Sequence, residues 1–312
     1  MRIEYHRTLI ADGVRNAAFH AALKAAITPG VTTVADIGAG TGLIGLMAAS
    51  LGAKAVYLYE TAAVGSVAAR ILKANRAKGC QLIPCHSREM IDPPRVDVVV
   101  SETLGNYAFE ENIIDTLNDA RERFLKPGGV IIPGRVTQFV APVTSDRIHR
   151  ELTVWDRAGY GLDMGIARTM SLNNAYVRAL DPGELLDSGK SAIAWDTVDF
   201  SKPQKASRKG EARWKLETGA TVHGFAAWWV AQLTPGITLS IAPGAPSTHW
   251  EQLYFPLLDP MWLTAGETLS VSLRSRSSEE GGTHLAWTAT HIDAKDRQRA
   301  RQALDLDKGY LP

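Results

Sequence analysis

Two hydrophobic rhythms alternate through the first 133 residues. Segment 12–27, "DGVRNAAFHAALKAAI", repeats apolar positions every three or four residues and stops before Pro29-Gly30, which predicts a helix. "VTTVADIG" is a β-branched run feeding a glycine loop, and "TGLIGLMAASLG" continues it as a helix. "KAVYLYE" and "VGSVAARILKANRAKG" repeat the pattern, the second stopping at Gly79. "QLIPCH" predicts a third strand and "VDVVVSE" a fourth. "NIIDTLNDARERFLKPGG" predicts a helix closed by a Pro-Gly-Gly turn, followed by a fifth strand, "VIIPG". Strands alternating with helices imply a mostly parallel sheet covered on both faces.

After Pro133 the rhythm changes to period two. "RVTQFVAPV", "TVHGFAAWWVAQL", "ITLSIAPG", "HWEQLYFPL", "ETLSVSLRSR" and "HLAWTATHI" read as strands separated by turn residues. An antiparallel, barrel-like second domain is expected, interrupted by a partly helical stretch over about 147–180 and an exposed loop over 201–211. The expected division is 1–133 and 134–312.

Composition narrows the class. With 45% hydrophobic and 21% charged residues, 312 residues suit a globular protein of two modest domains. Lys+Arg 34 against Asp+Glu 33 leaves a formal charge of +1, with no general pull toward nucleic acid or an anionic membrane. Cys80 and Cys85 are the two cysteines; they suggest no disulfide framework, and with only His86 adjacent no metal site is expected. The charged opening, "MRIEYHRTLIADGVRN", lacks the apolar core of a signal peptide, and no run reaches the ~20 apolar residues of a membrane span. A soluble, cytoplasmic protein is expected.

Two loops carry the candidate chemistry. "ADIGAGTGLIG" places Gly38, Gly40, Gly42 and Gly45 at a strand-to-helix turn, where backbone amides can approach an anionic ligand. Gly40, Gly42 and Gly45 satisfy G-x-G-x-x-G, which by itself admits a dinucleotide or S-adenosylmethionine. Asp36, directly before the loop, would oppose a pyrophosphate but suits a sulfonium and an amine. Glu60, ending the second strand, is placed to accept from both ribose hydroxyls. Asp12 and Arg15, three apart on a helix, share a face, and Arg15 is a candidate to hold a ligand carboxylate in a bidentate pair.

The second loop, "SETLGNYAFEENI", follows the strand "VDVVV". Gly105 and Asn106 let it fold back and bring Glu102 toward Glu111. Two unpaired carboxylates in a dry cleft oppose each other's ionisation, and a planar guanidinium between them removes that cost. The alternative is electrostatic support of the following helix start, which is the preferred reading for Glu110.

"SETLGNYAFEE" resembles the double-glutamate loop of the protein arginine methyltransferases. "THWEQLYFPL" resembles that family's threonine-histidine-tryptophan loop, "YGLDM" with Trp155 a stretch of its dimerisation arm, and "ADGVRN" its cofactor-binding helix. The motifs stand in the family's order and span nearly the whole chain. The resemblance implies a Rossmann-like S-adenosylmethionine domain, then a β-barrel with a helical arm that makes a homodimer. It implies Arg15, Asp36, Gly38, Gly40, Glu60 and Ser87 as cofactor contacts, Ser87 standing where an acid is usual. Glu102 and Glu111 would hold the guanidinium, His249 would reach toward Asp12, and Trp250 would line the acceptor pocket. Leu9 and Ile113 replace methionines common in members making asymmetric products, and the family's upstream aromatic helix is absent from this sequence. The implied acceptor is arginine in a protein or peptide. Rival readings are a methyltransferase for a free guanidino or amino metabolite, an NAD-dependent oxidoreductase, and a non-catalytic cofactor-binding protein.

Overall fold

A computed structural model describes residues 3–308. The chain opens with α1 (Ile3–Ala11) and α2 (Gly13–Ala26). Asp12 separates them. It leaves helical backbone geometry and its carboxylate accepts the Arg15 amide at 2.9 Å, which makes it the N-cap of α2. The cofactor-helix region expected from sequence is therefore two helices with Asp12 at the joint. Phe19, Ala22 and Leu23 form the buried stripe of α2.

Five parallel strands follow: β1 (Thr33–Ile37), β2 (Ala55–Tyr59), β3 (Cys80–Ile83), β4 (Val96–Val100) and β5 (Leu125–Ile132). Their order is β3-β2-β1-β4-β5, with α3 (Leu43–Ser50), α4 (Gly65–Ala74) and α5 (Ile113–Arg123) as crossovers. The chain steps outward from β1 to β3 and then returns to β4, so the strand order reverses between β1 and β4. Open α/β sheets bind ligands at the carboxyl ends of strands beside such a reversal. β5 differs from expectation at its start. It begins at Leu125, opposite Val96, and resumes its register at Val130, opposite Val98, so the Pro-Gly-Gly turn bulges out within the strand.

The remaining chain is mainly antiparallel. A six-stranded sheet contains β6 (Arg135–Val143), β7 (Tyr176–Arg178), β8 (Ile193–Asp199), β10 (Ala220–Thr234), β11 (Ile237–Ser240) and β12 (Gln252–Leu263). A four-stranded sheet contains β9 (Ser207–Lys215), β13 (Thr268–Ser278), β14 (Gly282–Ile292) and β15 (Gln298–Asp305). Aromatic side chains join the two sheets: Phe255 meets Trp287 at 5.0 Å and Trp214 meets Phe225 at 6.0 Å between ring centroids.

β7, β8 and β15 go beyond the strands read from sequence, and the exposed loop expected over 201–211 is shorter than predicted because β9 begins at Ser207. β9 is charged on its wet face and turns Ala212 and Trp214 inward. Arg208, within that expected exposed loop, grips Asp196, with Nε to Oδ2 at 2.8 Å. The interruption at about 147–180 holds α6 (Arg147–Leu152) and α7 (Gly165–Leu172). Between and along them Tyr160, Leu162 and Ile166 are 97%, 64% and 70% exposed, an apolar surface that the rest of the chain does not cover.

Candidate active site

The carboxyl ends of four parallel strands open on one cavity of about 270 Å³. In sheet order it meets Ser87 beyond β3, Tyr59 and Glu60 at the end of β2, Asp36 to Gly40 at the end of β1, and Glu102 beyond β4. Tyr5, His6 and Leu9 of α1 form a further wall, Glu111 lies at one side, and His249 enters from the barrel.

At the glycine loop, Gly38 and Gly40 have φ of +72° and +56°. A Cβ on Gly38 would meet the Thr103 methyl at 2.8 Å, and one on Gly40 the His6 ring at 3.1 Å. Only glycine fits both the backbone geometry and the space. Glu60 turns back on this loop: Oε2 accepts the Gly40 amide at 2.8 Å and Oε1 the Ala62 amide at 2.7 Å. A carboxylate has about four lone-pair sites, so acceptor capacity remains on both oxygens. Asp36 is buried and its Oδ2 accepts the Gly45 amide at 2.8 Å. Burial pushes its carboxyl up to about 7, with that amide pulling the other way.

Glu102 and Arg15 form a buried ion pair in which Arg15 Nε and Nη2 both point to Oε2, Nε at 2.6 Å. Arg15 Nη1 reaches Asn16 Oδ1 at 2.6 Å and the Leu9 carbonyl at 3.4 Å. The fork that sequence reasoning turned toward a ligand carboxylate is thus turned on Glu102, and one Nη2–H remains. The physical reason is that a guanidinium and a carboxylate taken out of water together must satisfy each other. The pairing also divides Glu102. Oε2 is committed, whereas Oε1 has only a long contact, 3.4 Å, with the Leu104 amide. Burial pushes the Glu102 carboxyl up to about 7; Arg15 opposes that shift and Glu111 adds to it.

Glu111 owes its place to the backbone. It and Asn112 are consecutive non-glycine residues with φ of +55°, directly before α5. Each left-handed residue costs on the order of 1–3 kcal/mol, and strain of this kind concentrates at functional sites. Its residue surface is open to solvent, yet the carboxyl faces crowded protein on the cavity side. That desolvation, with repulsion from Glu110 and Glu60, raises its pKa. Glu110 instead folds onto its own turn, Oε1 accepting the Tyr107 amide at 3.2 Å, and is absent from the cavity lining.

His249 and Asp12 meet across the two halves. Asp12 Oδ2 accepts the His249 amide at 2.9 Å and stands 2.7 Å from Nδ1. Burial lowers the pKa of His249, and hydrogen bonds from Arg15 and His249 outweigh burial to hold Asp12 low. Trp250, expected from the resemblance to line the acceptor pocket, stands next to His249 on the barrel side. It packs behind the wall, 5.1 Å from the Trp229 ring, donates to the Leu104 carbonyl at 2.9 Å, and is absent from the cavity lining. An indole is bulky, and its N–H finds this carbonyl when buried. Ser87 lines the cavity, whereas Glu89, the nearest acid in the chain, lies exposed outside it.

Tyr5, His6 and Thr116 line the cavity and escaped the sequence reading. His6 is 6% exposed, and its Nε2 has no hydrogen-bond partner among the described residues. The signal for α1 was present as Tyr5, His6 and Leu9, one face at helical spacing, but nothing local tells such a face from a packing stripe.

These features define a class: a Rossmann-like ligand-binding sheet whose acid-rich site is completed by a β-barrel. Comparisons with known proteins narrow it further. Residues 135–290 match the arginine methyltransferase oligomerization subdomain, and residues 21–141 match ribosomal protein L11 methyltransferase (PrmA). The chain is 30% identical over 262 residues to protein arginine N-methyltransferase 6 of Xenopus tropicalis, covering 80% of this chain and 77% of that protein. It is 27% identical over 287 residues to protein arginine N-methyltransferase 1 of Chlamydomonas reinhardtii, covering 90% and 83%. Among solved structures, the Trypanosoma brucei PRMT1 enzyme-prozyme heterotetrameric complex with AdoHcy superposes with a TM-score of 0.86 at 21% identity, covering 97% of this chain and 98% of that one. Arabidopsis thaliana protein arginine methyltransferase 10 gives 0.81 at 22%, covering 98% of each. The chain belongs to the protein arginine N-methyltransferase family.

Proposed function

We propose that this protein transfers a methyl group from S-adenosylmethionine to a guanidino nitrogen of arginine in a protein or peptide. The observation that carries the reading is the placing of Glu102 and Glu111 on the cavity that the glycine loop and Glu60 also line. A dinucleotide suits that wall less well, because Asp36, Glu60, Glu102 and Glu111 all crowd it with carboxylates.

The residues fit the cofactor. The Gly38–Gly40 turn presents bare backbone to the cavity, closely backed by Thr103 and His6, and the buried hydroxyl of Ser87 and ring of His6 both have polar atoms without a partner among the described residues. Asp36 and the loop would hold the amino-acid end, Glu60 the ribose, and Ser87 the adenine side, with the last Nη2–H of Arg15 left for the carboxylate. Bound there, the cofactor supplies an electrophilic methyl group on its sulfonium.

Glu102 Oε1 and Glu111 would grip the acceptor guanidinium from two edges, drawing positive charge toward one nitrogen and leaving the other more nucleophilic. Positioning supplies much of the remaining acceleration. The proton leaving the product passes to Glu111 or to His249. With Nδ1 turned to Asp12 and burial favouring the neutral imidazole, Nε2 is the basic atom of that pair. The exposed apolar arm supports a homodimer, the change of rhythm after Pro133 supports the division 1–133 and 134–312, and a cytoplasmic setting suits two free cysteines. Among the described residues no helix is long and apolar enough to cross a membrane.

The test is labelled methyl transfer from S-adenosylmethionine to arginine peptides and, in parallel, to free arginine. Transfer to peptides is expected. Label on free arginine alone would make the metabolite enzyme the right reading, and calorimetric binding of NAD in place of S-adenosylhomocysteine would overturn methyl transfer altogether.

A further inference from the structure

Beside Ser87, the segment after β3 is tied to the rest of the molecule by a side chain from α5. Arg123, in the last turn of that helix, donates from Nη2 to the Ser87 carbonyl at 2.8 Å and from Nη1 to the Met90 carbonyl at 2.6 Å. The guanidinium is itself held by Asp119 one turn earlier, Nε to Oδ1 at 2.7 Å and Nη2 to Oδ2 at 2.8 Å. It also lies over the Phe124 ring, 5.3 Å from its centroid, and Phe124 meets Tyr59 edge-on at 5.2 Å. Three nitrogens of one rigid fork thus make four hydrogen bonds, a pattern the three rotatable donors of a lysine cannot reproduce.

What this strap holds is Ser87. The residue is 2% exposed and lines the cavity, and its Oγ has no hydrogen-bond partner among the described residues. A buried hydroxyl without a partner is costly, so its presence in the cavity wall points to a ligand group that completes it. The sheet order says which end it serves. Glu60 at the end of β2 is the ribose acceptor in the proposed function, Glu102 beyond β4 is the acceptor end, and Ser87 lies on the opposite side, beyond β3. Close to Ser87 the other tie is weaker, the exposed Arg88–Glu279 ion pair at 3.1 Å, and Ile91 is 88% exposed; Arg95, at the far end of the segment, bonds the Glu122 and Leu125 carbonyls at 2.6 and 2.9 Å.

We infer that Arg123 is a positioning residue for the cofactor: through the carbonyls of Ser87 and Met90 it fixes the Ser87 hydroxyl where that hydroxyl bonds the purine. The inference rests on the proposed cofactor, and it assigns a function to a residue outside the cavity. It also makes α5 a rigid link, with Glu111 just before its first turn and the Arg123 strap in its last.

The test is a double-mutant cycle read by calorimetry with S-adenosylhomocysteine. Ser87→Ala should raise Kd about tenfold, the loss of one hydrogen bond to a buried group. Arg123→Met should raise it about tenfold or more, and Arg123→Lys by less. The double variant should bind within about twofold of Arg123→Met alone, because the arginine acts through the serine. At saturating cofactor Arg123→Met and Arg123→Lys should keep kcat within about twofold while KM for S-adenosylmethionine rises with Kd. A merely structural arginine would instead give effects that multiply in the double variant, and that result overturns the inference, as does an Arg123→Met protein binding within twofold of wild type. If Arg123→Met fails to fold, the same cycle is read with Arg123→Lys. Wild-type protein that binds no S-adenosylhomocysteine overturns the proposed function itself; wild-type binding matched by the variants overturns the strap alone.

Discussion

Glu102 shows how two demands meet in one carboxylate. Burial favours its neutral form and raises it to about 7, yet gripping a guanidinium requires the ionised form. The sign follows: below the raised pKa the free enzyme carries a protonated Glu102 and loses its hold on the acceptor. At saturating cofactor, kcat/KM for an arginine peptide should therefore rise with pH along an acid limb lying above the ordinary carboxylate range, because that ratio reports groups of the enzyme–cofactor complex before the peptide binds. Glu102→Gln should abolish transfer and leave S-adenosylhomocysteine binding within a few-fold, since the amide oxygen still serves Arg15. A profile flat from about pH 5 to about pH 9 would count against the assignment. Asp36 gives a separate signature. Its carboxyl, also raised to about 7, contributes stability that is full below the ordinary carboxylate range and lost as pH rises through about 7. Thermal melts of Asp36→Asn should show a shallower decline, the remainder belonging to Glu102, whose carboxyl is raised in the same way, and an unchanged decline would place its origin elsewhere. The position of Glu102 at the cavity was legible from its place after a buried strand, and the meeting of Asp12 with His249 from the resemblance of their two motifs to the family's. The turning of Arg15 onto Glu102 was not, since that contact joins residues 87 positions apart.

Among elements, the parallel strands were legible because buried β-branched runs such as "VDVVV" leave little alternative, and the order of helices followed from them. β9 was misread for the opposite reason. Its exposed positions are mostly charged, and the inward Ala212 and Trp214 are too few to announce a strand without the neighbour β13 that pairs with it. The arm raises a different question, because its apolar residues face outward. Tyr160, Leu162, Ile166 and Met170 are all exposed on a segment of short helices, and an apolar surface of this kind calls for a partner. A second copy of this chain is the expected one. Replacing Leu162 and Ile166 together by Glu should shift the mass in solution, measured by light scattering after gel filtration, from dimer to monomer. A dimer that survives both charges would remove the arm from the interface.

For the whole molecule, the site exists only where the two halves meet, and the seam is polar as well as packed. Trp250 and Trp229 of the barrel donate to the Leu104 and Gly105 carbonyls at 2.9 and 3.0 Å, and Tyr107 bonds Ser275 at 2.5 Å. These tether the loop that carries Glu102 to the barrel. A barrel-like second domain was legible from its period-two strands, but not which inward aromatic residues meet across the sheets. Asp12 does two jobs at this seam with two oxygens: Oδ1 caps α2 through the Arg15 amide, and Oδ2 receives both the amide and the ring of His249. The two contributions can be separated. Asp12→Ala loses the cap, worth about 0.5–2 kcal/mol, together with the seam contact. His249→Ala loses only the ring's share and leaves the capping bond in place. Asp12→Ala should therefore be the more destabilising in denaturant melts, by roughly the cap. The double variant should lose less than the sum of the two single losses, because the bond between ring and carboxylate is counted in both, while the ring's packing on Trp250, 3.9 Å between centroids, is lost in either background. Additive losses would mean that the ring and the carboxylate, 237 positions apart in the chain, do not hold the halves together through each other.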